Sequence, residues 1–545
     1  MSDYDQNLVI TGFMGTGKSA VGRMVADRLG REFVDSDELI EARAGCSIPE
    51  IFEREGEAHF RALEAEVCRE LSAERGWVVA TGGWTLGASA NRAAVEAGGL
   101  VVCLHADAPT LFDRLGGADG RPMLQDAVLR QAQDAVLRQA QDVESWQTRL
   151  ETLLAQRQPT YRSFPFQVDT SRLTGDRAVD RVLALWEAFA GESAPDALPV
   201  MAPGGSYAVL IGEGLLDRLG PLVDGLGRWT TVALVSDDVV GPLYASRAAA
   251  SMESAGLKVA RCTMPAGEVH KTLDTVSNLY NQFLAAGLDR SGLVVALGGG
   301  VVGDVAGFAA ATYMRGLPVA QIPTTLLAMV DSSVGGKTGV DLPAGKNLAG
   351  AFKQPKLVVV DPSTLSTLPP ADFRAGLAEV AKAGIISSPD LFARLEDSQG
   401  DLSWIIREAV AVKVDVVEAD PYERGRRAVL NLGHTFAHAF ERLSDYGLRH
   451  GEAVAMGTVA AGRLAVDLGH CPPAVSQRIV ALLGHLGLPT TLPDYDPEAV
   501  WDAMTSDKKK QGKHLRFVLP LDIGQVDVFD DVPRDTVLAM LRIGN

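Results

Sequence analysis

Positive charge is scarce in this chain: 51 lysines and arginines stand against 69 aspartates and glutamates, a formal net charge of −18 over 545 residues. Nucleic-acid affinity comes largely from neutralising phosphates, so this balance excludes an extended nucleic-acid surface. Long hydrophobic runs are missing too. The best apolar stretch, Leu293 to Gly303, stops at Asp304, short of the roughly 18 residues that a membrane span needs. Cysteine is sparse: Cys46, Cys68, Cys103, Cys262 and Cys471 are scattered without any CxxC pair, which suits a reducing cytoplasm. The opening MSDYDQNLVI has no basic region before its apolar segment, so it is not expected to act as a signal peptide. What remains is ordinary globular material, 47% hydrophobic and 22% charged. One core does not suffice at this length, and two to four domains are expected. Any anionic small substrate must then be held by local clusters of Lys and Arg.

The first such cluster follows a short apolar segment, Asn7 to Thr11, which runs into GFMGTGKS at Gly12 to Ser19. That is a complete GxxxxGK[ST] loop between an expected strand and an expected helix. Its glycines let backbone N–H groups face phosphates, and the helix behind it offers its positive end. Lys18 is expected to reach the β- and γ-phosphates and the Ser19 hydroxyl to ligate Mg²⁺. A second strand is expected over Phe33 to Asp37, so that Asp35 and Asp37 face one side. One carboxylate then serves Mg²⁺ and the other a substrate hydroxyl, because strand ends line the crevice of an open α/β sheet. The plainer alternative is a pair of acidic residues at a helix start.

Further motifs follow in order: GEAHFR at Gly56 to Arg61, Gly82-Gly83, Arg121-Pro122, and RQPTY at Arg157 to Tyr161. From residue 7 to about 188 the chain resembles shikimate kinase. The resemblance implies a P-loop parallel-sheet α/β domain over 1–190, with Asp37, Arg61, Gly83 and Arg157 binding shikimate. It implies that Gly15, Thr16, Gly17, Lys18, Ser19, Ala20 and Arg121 bind ATP, and that Ser19 and Asp35 hold Mg²⁺. Two arginines fit a carboxylate-bearing acceptor, since a guanidinium grips a carboxylate bidentately. Asp37 is expected to orient or deprotonate the attacking hydroxyl, with Lys18 as its catalytic partner. Two features depart from the family pattern. Trp84 stands where a third glycine would follow Gly82-Gly83, and DAVLRQAQ occurs at 126–133 and again at 134–141. The repeat is read as a helical insertion into the lid. An eight-residue period turns its apolar residues by roughly 80° per copy, so they form no single stripe.

Residues 191–205, GESAPDALPVMAPGG, have linker composition. Beyond them, Thr231 to Asp237 reads as a buried strand whose terminal carboxylate suits a ribose hydroxyl. Leu293 to Leu297 enters GGGVVGD at Gly298 to Asp304, a turn that lets backbone approach a pyrophosphate. By itself this turn is equally compatible with tight packing. Farther on, Asn431 to Glu452 gathers His434, His438 and His450 with Asn431 and Glu441. Phe436, Ala437, Ala439, Phe440 and Leu443 recur at helical intervals, so His434 and His438 share one helix face. His434 and His450 can supply two imidazoles to a dication, with a carboxylate from elsewhere as the third ligand. The pairing of His434 with His438 also stays open, although position 435 lacks the glutamate of HExxH.

The motifs TYMRG (312–316), QIPTTL (321–326), DSSVGGKT (331–338), GKN (345–347) and GLAEVAK (376–382) precede the histidines in that order. Together they resemble 3-dehydroquinate synthase from residue 200 to 545. The resemblance implies a NAD-binding α/β domain over 206–370 and a mostly helical metal and substrate domain over 371–545. It implies that Glu379, His434 and His450 hold Zn²⁺ or Co²⁺. NAD is assigned Asp237, Glu268, Lys271, Gly300, Val301, Val302, Gly303, Asp304, Thr324, Thr325, Lys337, Lys346, Thr364, Leu365, Ser366 and Thr367. Substrate is assigned Asp331, Lys337, Lys346, Asn347, Lys382, Lys413, Arg427 and Asn431, with one of Lys508, Lys509, Lys510 and Lys513. Lys337, Lys382, Lys413, Arg427, Asn431 and His438 are the catalytic candidates, His438 as a proton relay. Arg315 is expected to reach a phosphate across a homodimer interface. Glu379 and Lys382, at i and i+3, can face one site, an ordinary surface ion pair being the alternative.

The two resemblances together imply a bifunctional cytoplasmic enzyme of the shikimate pathway with small-molecule substrates and neither nucleic acid nor membrane as partner. One activity phosphorylates shikimate with ATP. The other converts 3-deoxy-D-arabino-heptulosonate 7-phosphate to 3-dehydroquinate with release of phosphate. Two alternatives are a metal-dependent polyol dehydrogenase in the second half and a nucleotide-binding module without turnover in the first.

Overall fold

A computed structural model describes residues 6–116, 143–164, 166–171, 173–189, 195–200, 202–203, 207–343, 345–445, 447–509 and 515–543. Arg121, the repeat at 126–141, Lys510 and Lys513 lie outside them, as do the side chains of Lys508 and Lys509. The chain divides into two compact units. The first is carried by the residues up to 194 with Arg218–Arg228 and Ser251–Leu257, the second by the remainder.

In the first unit, strands β1 (Asn7–Gly12), β2 (Phe33–Asp35), β3 (Val78–Ala80), β4 (Gly99–His105) and β5 (Phe166–Asp169) form one parallel sheet ordered β2-β3-β1-β4-β5. The central strand β1 is buried at every residue, as a parallel strand covered on both faces must be. It turns through the glycine loop into helix α1 (Lys18–Leu29), whose cap Gly17 is left-handed at φ 94°. A Cβ on Gly12, at φ 142°, would lie 2.1 Å from the Leu104 carbonyl oxygen, so only glycine fits where the loop leaves the sheet. Helix α2 (Gly56–Ala73) contributes Phe60, Val67 and Leu71 to a core shared with Val79, Val101, and Leu150 and Leu153 of α3 (Val143–Arg162).

The extended reading of Phe33 to Asp37 is corrected. β2 ends at Asp35, and Ser36–Ala44 is helical because the Asp35 carboxylate caps it, accepting the Asp37 N–H at 3.0 Å. Asp37 therefore sits in a helical first turn and not on the same extended face as Asp35.

The second unit carries β6 (Asp196–Val200), β7 (Tyr207–Ile211), β8 (Val232–Asp237), β9 (Val259–Met264), β10 (Leu293–Gly298), β11 (Val319–Pro323), β12 (Lys337–Leu342), β13 (Gly345–Phe352) and β14 (Leu357–Val360). Its main sheet is ordered β6-β7-β14-β11-β10-β8-β9, parallel throughout except for β6. Residues 196–200 were expected inside a linker. They form instead an antiparallel edge strand on β7, a position that tolerates a proline. Helix α4 (Gly300–Thr312) follows β10, and β12 and β13 form a separate hairpin. The rest is mainly helical, including α5 (Pro370–Ser387), α6 (Leu402–Ala419), α7 (His434–Leu443) and α8 (His450–Asp467), with a last hairpin of β15 (Phe517–Asp522) and β16 (Gln525–Phe529). Among the described residues no helix is long and apolar enough to cross a membrane.

Small residues bring α5, α7 and α8 unusually close. A Cβ on Gly451 would fall 1.9 Å from the Ala375 carbonyl oxygen, and one on Gly457 would fall 2.2 Å from that of Gly433. Backbone cannot yield as a flexible side chain does, so Gly451→Ala and Gly457→Ala are each expected to destabilise the second unit by about 1–3 kcal/mol. Denaturant melts of the full chain measure this; an unchanged midpoint for both would show that these contacts do not set the helix spacing.

Candidate active sites

In the first unit the site gathers at the C-terminal ends of β1, β2 and β3. Lys18 Nζ curls onto its own loop and donates to the Phe13 carbonyl at 3.1 Å. Ser19 Oγ donates to Asp35 Oδ2 at 2.6 Å, so the expected Mg²⁺ pair is already in contact. Burial lowers the Lys18 ammonium below its usual range, against the opposing pull of Asp37 and Asp35. Arg61 pairs with Glu57 and with the buried Glu64, which also accepts a hydrogen bond from Thr85 Oγ1 at 2.8 Å. Arg157 and Tyr161, one helical turn apart on α3, both reach the turn at Gly83 and Trp84. The Arg157 guanidinium carbon lies 4.6 Å from the centroid of the Trp84 ring. Tyr161 meets the same indole edge-on at 6.0 Å and donates its hydroxyl hydrogen to the Gly83 carbonyl.

In the second unit Glu379 of α5, His434 at the start of α7 and His450 at the start of α8 converge, each offering one ligand atom within 4.8 Å of the others. His434 Nε2 and His450 Nε2 lie 3.8 and 3.6 Å from Glu379 Oε1. The other ring nitrogens are held from behind: His434 Nδ1 faces the Leu432 carbonyl at 3.1 Å, and His450 Nδ1 faces Glu441 Oε1 at 3.4 Å. Such second contacts fix the ring orientation of a metal ligand. His438 is close by, its ring 5.5 Å from His434 and 6.5 Å from His450, but the converging set is not the helical pair His434 and His438. Lys382 forms a buried ion pair with Glu379, so the surface-pair alternative is excluded.

Burial alone would raise the Glu379 carboxyl; Lys382 and the two imidazoles overcome it and hold it well below the usual carboxylate range. Burial and the Lys382 charge push His434 down to about 3. His450 goes the other way: burial is outweighed by the carboxylates of Glu379 and Glu441, which raise it to about 9.

Four further candidate lysines are each tied to a carboxylate. Lys413 pairs with Asp331, Lys271 with Asp304 at 2.7 Å, Lys346 with Glu441 at 3.4 Å and Glu268 at 3.6 Å, and Lys337 with Glu423. Lys271 also donates to Asn347 Oδ1, and Asn431 Nδ2 donates to Glu423 Oε1 at 3.3 Å. Arg427 is buried and donates to the carbonyls of Pro421 and Gly335.

Lys337 and Lys346 lie on the antiparallel β12–β13 hairpin, whereas the other residues expected to meet NAD follow the C-terminal ends of parallel strands: Asp237 closes β8, Glu268 and Lys271 follow β9, Gly300 to Asp304 open α4 after β10, Thr324 and Thr325 follow β11, and Thr364 to Thr367 follow β14. That is the ligand side of an open α/β sheet. Asp237 Oδ1 accepts the N–H groups of Val239 and Val240. Thr324 Oγ1 is buried without a hydrogen-bond partner. A Cβ on Gly300 would come 3.0 Å from Ser332 Oγ and one on Gly303 2.8 Å from Gln321 Oε1, so a side chain at either position would require these neighbouring side chains to shift. Val302, Thr364 and Leu365 are buried, and Thr364 Oγ1 already donates to the Asp361 carbonyl. Arg315 stands exposed in a left-handed turn at φ 71°.

The family models 3-dehydroquinate synthase N-terminal and 3-dehydroquinate synthase C-terminal match residues 261–375 and 376–510, and the Shikimate kinase model matches 14–186. A 3-dehydroquinate synthase of Nostoc punctiforme is 49% identical over 355 residues, which cover 63% of this chain and 98% of that protein. The chain belongs to the 3-dehydroquinate synthase family, with a shikimate kinase domain ahead of it. A second synthase, from Desulforamulus reducens, is 49% identical over 346 residues, 62% of this chain and 96% of its own. Among solved structures, a 2-deoxy-scyllo-inosose synthase complexed with carbaglucose-6-phosphate, NAD+ and Co2+ matches at TM-score 0.59 and 27% identity, covering 64% of this chain and all of that one. ValA, a 2-epi-5-epi-valiolone synthase from Streptomyces hygroscopicus with NAD+ and Zn2+ bound, matches at TM-score 0.58 and 29% identity, covering 63% and 98%. The synthase and the kinase together make this a bifunctional shikimate-pathway enzyme.

Sequence reasoning missed Glu64 and Glu423, the carboxylates that hold Arg61 and Lys337. Lys337 is 86 residues from Glu423, so no local spacing announces the pair. The protonation of His450 yields a test. A cation needs its Nε2 neutral, whereas below about 9 the folded synthase keeps it protonated. Binding of Zn²⁺ at pH 7.5 is therefore expected to release about one proton per synthase site and to tighten as pH rises toward 9. Calorimetry in buffers of different ionisation enthalpy reads the proton count; a count of zero would refute the protonated state.

Proposed function

We propose that Glu379, His434 and His450 hold a divalent cation, Zn²⁺ or Co²⁺, and that NAD lies along the strand ends from Asp237 to Thr367. The observation that carries this is the Glu379 carboxylate: its buried Oε1 has no hydrogen bond and faces the Nε2 atoms of two imidazoles at 3.8 and 3.6 Å, while Oε2 pairs with Lys382, a donor set suited to such an ion. The orphaned Thr324 hydroxyl likewise fits a polar ligand at the strand ends. When bound, the dinucleotide supplies reversible oxidation of the substrate and the cation supplies Lewis acidity beside it. The chain's own part is binding, orientation and proton handling. Lys337, Lys346, Asn347, Lys382, Lys413, Arg427 and Asn431 receive the acid and phosphate groups of the heptulosonate, and His438 moves a proton. In the kinase, Lys18 exchanges the Phe13 carbonyl for phosphate oxygens, Ser19 and Asp35 hold Mg²⁺, and Asp37 aligns the attacking hydroxyl. Arg61 and Arg157 take the shikimate carboxylate, beside Gly83.

Functional boundaries at 190, 206 and 371, a cytoplasmic location and a homodimer through the synthase belong to the same proposal. The free cysteines suit a reducing compartment. The exposed, left-handed turn at Met314 and Arg315 is the surface offered to a second copy, which light scattering would detect. Identity of 49% to synthases favours phosphate release over a polyol dehydrogenase, whose mark would be net NADH.

Two substitutions separate the halves. Lys18→Ala is expected to lower shikimate-dependent ADP formation at least a thousandfold, on the order of 4 kcal/mol of transition-state stabilisation, while phosphate release from the heptulosonate continues. His434→Ala is expected to remove bound metal by elemental analysis and to silence the synthase alone. Loss of both activities in either variant would refute independent sites; retained metal in His434→Ala would remove that residue from the ligand set.

A further inference from the structure

Trp84 is the residue of the kinase that neither the phosphate loop nor the acceptor clamp explains. Its indole lies against the Arg157 guanidinium, 4.6 Å from ring centroid to guanidinium carbon, and Arg157 is buried to 7% exposure. The contact is built from three sides. Tyr161 presses on the indole edge-on, with centroids 6.0 Å apart, and anchors the turn through the Gly83 carbonyl. Phe13 of the phosphate loop meets Tyr161 edge-on at 6.0 Å. Gly87 leaves room for the indole, since a Cβ there would sit 2.3 Å from the Trp84 ring. A guanidinium carbon held 4.6 Å over an aromatic ring is tethered there by cation–π attraction, which limits the directions in which its N–H fork can turn toward a planar carboxylate.

We infer that Trp84 is a positioning residue for the acceptor carboxylate, acting through Arg157. It limits how the guanidinium can turn before substrate arrives. Because an uncharged acceptor gains little from an aligned fork, the same contact selects for a carboxylate over an uncharged group. The inference rests on the proposed role of Arg157 as a clamp for the shikimate carboxylate.

The test uses the full-length enzyme and four variants, with KM for shikimate, KM for ATP, kcat and the melting temperature of each. Trp84→Gly and Trp84→Leu are expected to raise the shikimate KM roughly tenfold, the size of one partly desolvated cation–π contact. The ATP KM should stay unchanged and kcat should move less than threefold. Trp84→Phe restores a ring and should recover most of the loss. Leu keeps apolar bulk without an aromatic face, so equal KM values for Trp84→Leu and Trp84→Phe would overturn the inference and leave Trp84 as packing. So would an unchanged shikimate KM in Trp84→Gly. The fourth variant, Arg157→Lys, tests the underlying reading separately. If it leaves the shikimate KM unaltered, the clamp assignment itself falls, and the inference with it. If Arg157→Lys raises the KM and the Trp84 variants do not, the clamp stands and the positioning role alone fails. Wild-type preference for shikimate over its methyl ester should also shrink in Trp84→Gly, whereas a purely structural role would lower the melting temperature and leave that ratio in place.

Discussion

The second unit depends on an anion kept away from water. Glu379 is 3% exposed, in the middle of a helix, and an ionised carboxylate there is tolerated only if positive charge surrounds it. Lys382 one turn along and the protonated imidazole of His450 meet that demand, with the neutral His434 ring as a polar neighbour. The need to bring three helices to one carboxylate explains the glycines at 433, 451 and 457, whose bare backbones touch where any side chain would hold the helices apart. A second carboxylate, Glu441, then holds His450 from the other side and links it to Lys346 on the β12–β13 hairpin. The residues proposed to hold the metal and the lysines proposed to face substrate are thus one electrostatic network. A change at any member alters the charge balance of the rest.

The same principle runs through a protein of net charge −18 that must bind anions. Its answer is to pair lysines of the second unit with carboxylates: the buried Lys271 with Asp304 and Lys413 with Asp331, and the exposed Lys337 with Glu423. Unpaired, these groups would shed their protons or repel one another; paired, they stay preorganised at modest cost until an anionic ligand joins them. The lysines named from sequence were therefore only half of the site.

That half was legible because glycine loops, histidines and cations sit in fixed order along short motifs, and because strand-to-glycine-to-helix transitions have local signatures. The ends of β1, β8 and β10 followed from strand signals of this kind, and the parallel sheet of the first half from the family resemblance. What sequence could not supply was long-range pairing, as between Glu423 and Lys337 or Glu441 and Lys346, since it is fixed by topology and not by spacing. Local competition misled as well. Asp35 caps a helix and so ends β2 two residues early, because a side-chain oxygen that satisfies an orphan N–H outweighs one more pair of strand residues. Asp196–Val200 looked like linker because the prolines at 195, 199 and 203 and the small residues around it hide an edge strand that needs only one partner.

The two halves differ in the cation proposed to meet substrate, and the chemistry accounts for the difference. The kinase offers arginines at 61 and 157, planar forks that stay charged and suit the proposed task of holding a carboxylate in one orientation while a phosphoryl group moves elsewhere. The synthase presents mainly lysines, compact charges whose protonation responds to surroundings. Burial pulls Lys413 down against the opposing charge of Asp331, so that its proton is held by a balance instead of by intrinsic basicity. A reaction that must move protons as well as hold anions favours such groups. A transfer that needs only alignment favours guanidinium. Trp84 fits the second logic: an aromatic face adds direction to a charge that is already permanent, and it would add nothing to an ammonium whose task is to exchange a proton.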